Sequence, residues 1–382
     1  MAIRNRYLLQ SAARELLKRE KVATCGRHMI PNGTTTIRVN ITQVDKRRRS
    51  ASFGGLLQCG STWLCPVCSN KISERRREEL SRAVERWHNQ HPDHRVLLVT
   101  FTLQHHAGES LAAIMAGLKQ ARAALVSGRW AADFRAAYQI VGMVRGLEIT
   151  YGANGWHPHL HCLYFLRKSP DIIGFEQELS ERWRQALASN GRYATWSHGV
   201  HVKFSDSELA SYIAKYGKEP KQWGVSHETT KGPAKISQKG GATPFQLLYE
   251  YATMPAGPER LRYGRLFLTY AAHMKGQRAL FWSKGLRQLL ALEEELTDEE
   301  LVKAPELGTS TMAVLGGQAW HHILCHDARA DVLLAAGKGK AALARLLQKL
   351  GIDPNWYYFP DELPDRADLS ADIERYGNPA VA

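Results

Sequence analysis

Residues 148–163 read EITYGANGWHPHLHCL. The turn signal GANG (Gly152–Gly155) separates two strand-like runs, Gln139–Tyr151 and Gly155–Leu166, so the segment predicts a β-hairpin. Alternate residues of a strand face the same way. His157, His159 and His161 therefore project together, while Leu160 and Cys162 face the other side. Directly paired residues share a face. A two-residue loop at Ala153–Asn154, or a four-residue loop on the same register, sets Glu148 opposite His159; a loop at Asn154–Gly155 sets it opposite His161. A three-residue loop turns the carboxylate away. With either even loop, two imidazoles and a carboxylate converge and leave coordination positions open, as a catalytic metal requires. The mixed nitrogen and oxygen set admits Mg2+ or Mn2+. Pro158 lacks an N–H and marks an edge or a bulge.

Outward from the hairpin, His94–Gln104 is a strand by its β-branched run. Lys71–His88 has the period of a helix, with Leu80, Val84 and Trp87 on its apolar side and Ser73 and Arg76 opening its polar face. Ser110–Val126 and Asp171–Ala188 are further helices, and Gly199–Phe204 is a short strand. Ser205 and Glu208 form a capping box for the helix that follows. On it, Tyr212 and Tyr216 sit one turn apart on one face, beside Lys215. Phenols are poor nucleophiles at neutral pH unless a cation or a metal-polarised electrophile helps. The stretch 228–244 is rich in Lys, Gly and Thr and reads as a basic loop; beyond it the chain is mostly helical to about residue 352.

The chain has 382 residues, 44% hydrophobic and 23% charged, in keeping with a globular protein of two or three domains. No apolar run is long enough to span a membrane, and the opening residues MAIRNRYLLQSAARELLKRE read as an amphipathic helix rather than a signal peptide. The net charge of +14 favours polyanionic partners. Four of the six cysteines, Cys25, Cys59, Cys65 and Cys68, fall in residues 21–70, which otherwise read as irregular. That spacing suits structural Zn2+ in a reducing cytoplasm more than disulfides, with His28 as a competing ligand. The neighbouring runs KRRRS and SERRREE offer basic groups for phosphate contacts.

Taken together, LLVTFTL (97–103), LEIT followed by WHPHLHCL (147–163) and YIAKYGKE (212–219) resemble the three motifs of rolling-circle replication initiators of the HUH endonuclease superfamily. CGSTWLCPVCSNK (59–71) resembles the cysteine-bearing front segment of plasmid Rep proteins, and LFWSKGLRQLL (280–290) their C-terminal tryptophan-lysine-glycine block. The resemblance covers about residues 55–295. It implies an α+β fold, with a central antiparallel sheet that carries the HUH strand between flanking helices. Around it stand an N-terminal helix and zinc segment (1–90), the endonuclease domain (91–227) and a basic loop with a helical C-terminal region (228–382). It also implies His159, His161 and Glu148 as ligands of a catalytic cation, Tyr216 as primary nucleophile and Tyr212 as the second. The partners implied are single-stranded or hairpin origin DNA and a host helicase.

In many plasmid Rep proteins a glutamate stands where this chain has Tyr212. The Tyr-x-x-Lys-Tyr form instead resembles two-tyrosine phage initiators and rolling-circle transposases, so a transposase is the nearest alternative. His157 supports the site, touches DNA or is inert. An iron oxygenase built on the same triad, and a zinc-bearing DNA-binding regulator without chemistry, are the competing classes.

Overall fold

The structure is a computed structural model that describes residues 3–30, 36–43, 49–205, 241–304 and 308–360. Contacts divide the chain into two compact units, one of residues 60–301 and one built from 2–59 together with 302–382.

The first unit is organised on a five-stranded antiparallel sheet in the order β6-β3-β5-β4-β7. Its strands are β3 (Arg95–Phe101), β4 (Ile140–Gly152), β5 (Gly155–Leu166), β6 (Val200–Phe204) and β7 (Leu280–Trp282). The long β4–β5 hairpin turns on Ala153–Asn154, because Gly152 pairs with Gly155. Gly155 adopts a positive φ of 81°, which L side chains rarely take. β5 lies at the centre between β3 and β4. Leu160, Cys162 and Tyr164 line one face with Phe101 and with Trp183 of the helix α5 (Ile172–Ala188). On the other face the histidines give way to Phe165, and Trp87 of the helix α2 (Pro66–Gln90) packs against it edge-on at 6.1 Å. The Trp87 indole N–H also donates to the carbonyls of Arg95 and Leu166, which ties α2 to the ends of β3 and β5.

Pro158 pairs in register with Ile149, so it is not at a bulge, but β3 runs only as far as Phe101, opposite Leu160, and β5 has β4 alone beside it at Pro158. This end of β5 is thus a local edge, as expected, and the missing N–H is tolerated there. The polar face read for α2 is a correction. Ser73 and Arg76 are both buried. Arg76 meets Glu79 at 3.2 Å, Asp298 at 3.5 Å and Glu295 at 3.6 Å, and donates to the Leu296 carbonyl at 2.6 Å. It is a structural cation and not a phosphate contact.

The second unit holds a four-stranded antiparallel sheet in the order β2-β1-β8-β9, of β1 (Ile37–Gln43), β2 (Arg49–Gly54), β8 (Thr309–Leu315) and β9 (Tyr357–Tyr358). Ile37, Val39 and Ile41 face a core completed by Phe53, Ala313, Leu315, Trp320, Val332 and Leu343. The irregular reading of residues 21–70 and the helical reading of the C-terminal region each missed strands of this sheet. Among the described residues no helix is long and apolar enough to cross a membrane.

Candidate functional site

The register of the hairpin decides where Glu148 points. Glu148 pairs with His159, and Gly146 with His161, so the carboxylate reaches both rings with no side chain on Gly146 to compete for the space. Glu148 Oε2 lies 3.0 Å from His159 Nε2 and 2.9 Å from His161 Nε2. The three side chains are partly buried, the histidines 12% and the glutamate 27% exposed, which keeps one side open to solvent. Burial opposes ionisation of Glu148, but hydrogen bonds and charge from His159 and His161 outweigh it and hold its carboxyl well below the usual range.

The other ring nitrogens are held from behind. His161 Nδ1 is 3.0 Å from the Thr100 hydroxyl, and Thr100 is the β3 partner of His161. His159 Nδ1–H donates to the His157 carbonyl at 3.4 Å. That bond leaves Nε2 of His159 directed at the carboxylate, where it can donate to Glu148 when protonated or offer its lone pair to a cation set between the two groups. Glu148, His159 and His161 can therefore hold a metal ion, with ligand atoms all within 4.8 Å of one another.

His157 lies beside the group and outside it. His105 Nδ1–H donates to the Asn154 carbonyl at 2.9 Å, which leaves its Nε2 to accept from His157 Nδ1–H at 2.7 Å. Burial, then His159 and His105, push the His157 imidazole down to about 4, so it is neutral at physiological pH. The sequence reading passed over Thr100 and His105. Strand parity across β3 and β5 carried the signal for Thr100; no pattern marked His105, which lies in the loop after β3.

The thiols of Cys25, Cys59, Cys65 and Cys68 also lie within 4.8 Å of one another, and all four residues are buried. Gly26 and Gly60 follow two of them with φ of 65° and 64°, left-handed turns that fold the chain back beside each thiol. The Cys59 N–H points at Cys25 Sγ, 3.4 Å away. Backbone bonds from Gly26 N to Leu57 O and from Leu57 N to His28 O bring the two turns together. His28 itself is exposed and is not part of the group. Four converging buried thiols are the donor set of a structural zinc site. Tyr212, Lys215 and Tyr216 lie outside the described residues, as does Glu208 of the expected capping box.

Residues 56–323 match a protein family described as replication protein. The curated "Protein rep" of Streptomyces lividans is 30% identical over 66% of this chain and 68% of its own length. A "Neomycin resistance protein" of Streptomyces cyanogenus is 37% identical over 28% of this chain and 30% of its own length. No solved structure matches.

Proposed function

Because this chain belongs to the replication protein family, we propose that it is a plasmid rolling-circle initiator that nicks one DNA strand at an origin. The observation that carries the reading is the Glu148–His159–His161 group on one face of the β4–β5 hairpin, open on one side and closed behind by Thr100. These residues would hold one Mg2+ or Mn2+, which when bound draws charge from the scissile phosphodiester. The phenol of Tyr216 attacks phosphorus. The bond to the 3′ oxygen breaks, leaving a 5′-phosphotyrosine and a free 3′-OH, and the phosphoester energy is kept for rejoining. Lys215 lies next to the nucleophile in sequence and supplies positive charge for the phenolate. Tyr212 takes the second transfer. Cys25, Cys59, Cys65 and Cys68 would hold Zn2+ as a structural ion. The excess of cationic side chains supports binding of single-stranded or hairpin DNA, and a host helicase would follow the nick to unwind the duplex.

A rolling-circle transposase would use the same chemistry and is favoured only by the second tyrosine, Tyr212. The nuclease reading is tested by His161→Ala and Glu148→Ala in a Mn2+-dependent cleavage assay on single-stranded oligonucleotides. Both should bind DNA as the parent does, since phosphate contacts elsewhere persist, and lose cleavage. Full cleavage by His161→Ala would refute the assignment.

A further inference from the structure

Among the described residues three aromatic side chains are exposed, Tyr193 at 67%, Trp196 at 54% and Phe204 at 47%, and all three fall between positions 193 and 204. Apolar groups scattered singly over a surface need no explanation, but a cluster points to a partner.

The segment that carries Tyr193 and Trp196 is fastened to the end of β3. The Thr102 N–H donates to the Gly199 carbonyl at 2.9 Å, and the Gln104 N–H to the Tyr193 carbonyl at 2.8 Å. The Thr102 hydroxyl donates to the His198 carbonyl, and the Trp183 indole N–H holds the Thr102 carbonyl at 2.7 Å. Thr102 follows Phe101, which pairs with Leu160 between the two histidines of the candidate metal group. Thr100, which meets His161, is two residues back, no more than about 7 Å along an extended chain. The same face continues to the edge of the sheet. His201 of β6 pairs with Thr100 and Thr100 with His161, so exposed His201 and Lys203 lie on the histidine side, whereas Phe204 is turned the other way.

Trp196 is propped from one face only. The Arg184 guanidinium of α5 sits 4.5 Å from the centre of its ring, a cation–π contact that orients the indole and leaves its other face to solvent. Among the described residues Arg184 forms no ion pair, so no carboxylate neutralises it. The sequence has no acidic residue from 182 to 205. One carboxylate from outside that stretch, Glu176, reaches β6, where it accepts from the Val202 N–H at 2.7 Å and lies 3.8 Å from His201 Nδ1. An open indole face with a cation behind it suits a ligand that is flat and anionic at its rim. Unpaired nucleotides have that form, and their bases stack on exposed aromatic rings. The bases of a duplex are already stacked on one another.

We propose that Trp196, held by Arg184, is a stacking platform for an unpaired base of a DNA strand that crosses the sheet at the Glu148–His159–His161 end. The inference rests on the single-stranded substrate proposed above and names a residue that grips it. Trp196 touches neither the metal ligands nor the reacting bond; it is a positioning residue for the strand.

The test is binding of a labelled single-stranded oligonucleotide to the full-length protein, read by fluorescence anisotropy without added Mn2+, so that it is independent of cleavage. Trp196→Ala should weaken binding by about 5- to 150-fold. Trp196→Phe, which keeps a ring, should recover most of the loss. The slope of log affinity against log salt should be the same in Trp196→Ala and wild type, because no charge is removed. Two further ligands separate stacking from damage to the fold. An oligonucleotide whose bases are replaced by abasic spacers, and a duplex of equal length, should each bind wild type and Trp196→Ala alike. Equal affinity of the two proteins for the intact single strand, or an equal loss on the abasic strand, overturns the proposal. If wild type binds single strands and Trp196→Ala binds them as well, the platform alone fails; if wild type binds no single strand, the substrate reading fails with it.

Discussion

Glu148 lies directly opposite His159 across the β4–β5 pair, and a single oxygen, Oε2, serves both His159 and His161. Together the three side chains could hold one metal ion. Its affinity depends on how firmly the rings are aimed. Thr100 aims His161 through Nδ1. Thr100→Val keeps the β-branched shape and removes the hydroxyl, so Mn2+ affinity should fall by about 10- to 100-fold. Titration followed by electron paramagnetic resonance measures it; unchanged affinity would show that the ring is aimed by packing alone.

The thiol group predicts about one Zn2+ per chain, as expected for a single four-thiolate site. Cys65→Ser combined with Cys68→Ser should release the ion and lower the unfolding temperature, because metal affinity there is folding free energy. Elemental analysis of unchelated protein reads the stoichiometry, and zinc retained by the double variant would contradict the assignment.

Arg76 predicts a stability effect. Its guanidinium is surrounded by Glu79, Glu295, Asp298 and the Leu296 carbonyl, and Glu79 also pairs with Arg287 at 2.6 Å. Arg76→Ala takes the cation from three partly exposed carboxylates, of which Glu79 keeps Arg287, and should cost about 1.5–3 kcal/mol. Urea unfolding of the purified variant gives the value. A loss below about 1 kcal/mol, the range of exposed pairs, would mean that solvent screens the cluster.

His157 predicts a pH effect. Its folded value near 4 lies below the ordinary 6.5, so the unfolded chain takes up the proton first. The stability it contributes is complete above pH 6.5 and is lost as pH falls toward 4. His157→Gln should flatten the stability curve in that window and leave it unchanged above. Thermal unfolding across the range tests this, and an unaltered curve would contradict it.

What was legible in the chain follows sequence distance. Alternation along Gly155–Leu166 and a tight turn after Tyr151 restrict Glu148 to few positions, because a hairpin ties its own register. The choice among even loops needed the structure, which set Gly152 against Gly155. β1 alternates as Ile37, Val39 and Ile41, but the strands on either side of it are not equally near. β2 follows at once, while β8 pairs from the far end of the chain, as Thr42 and Thr309 show. Helical spacing put Arg76 on a polar face; its burial comes from Glu295 and Asp298, more than two hundred residues on.

The proposed function requires a metal-dependent tyrosine attack that joins this protein to DNA. Single-stranded oligonucleotides labelled at the 3′ end are incubated with Mn2+, and the labelled protein is digested and mapped by mass spectrometry. Label is expected on Tyr216 and lost in Tyr216→Phe and in His161→Ala. Tyr212→Phe should still form this first adduct but fail in transfer to a second strand. No covalent adduct, or label only on Tyr212, would contradict it.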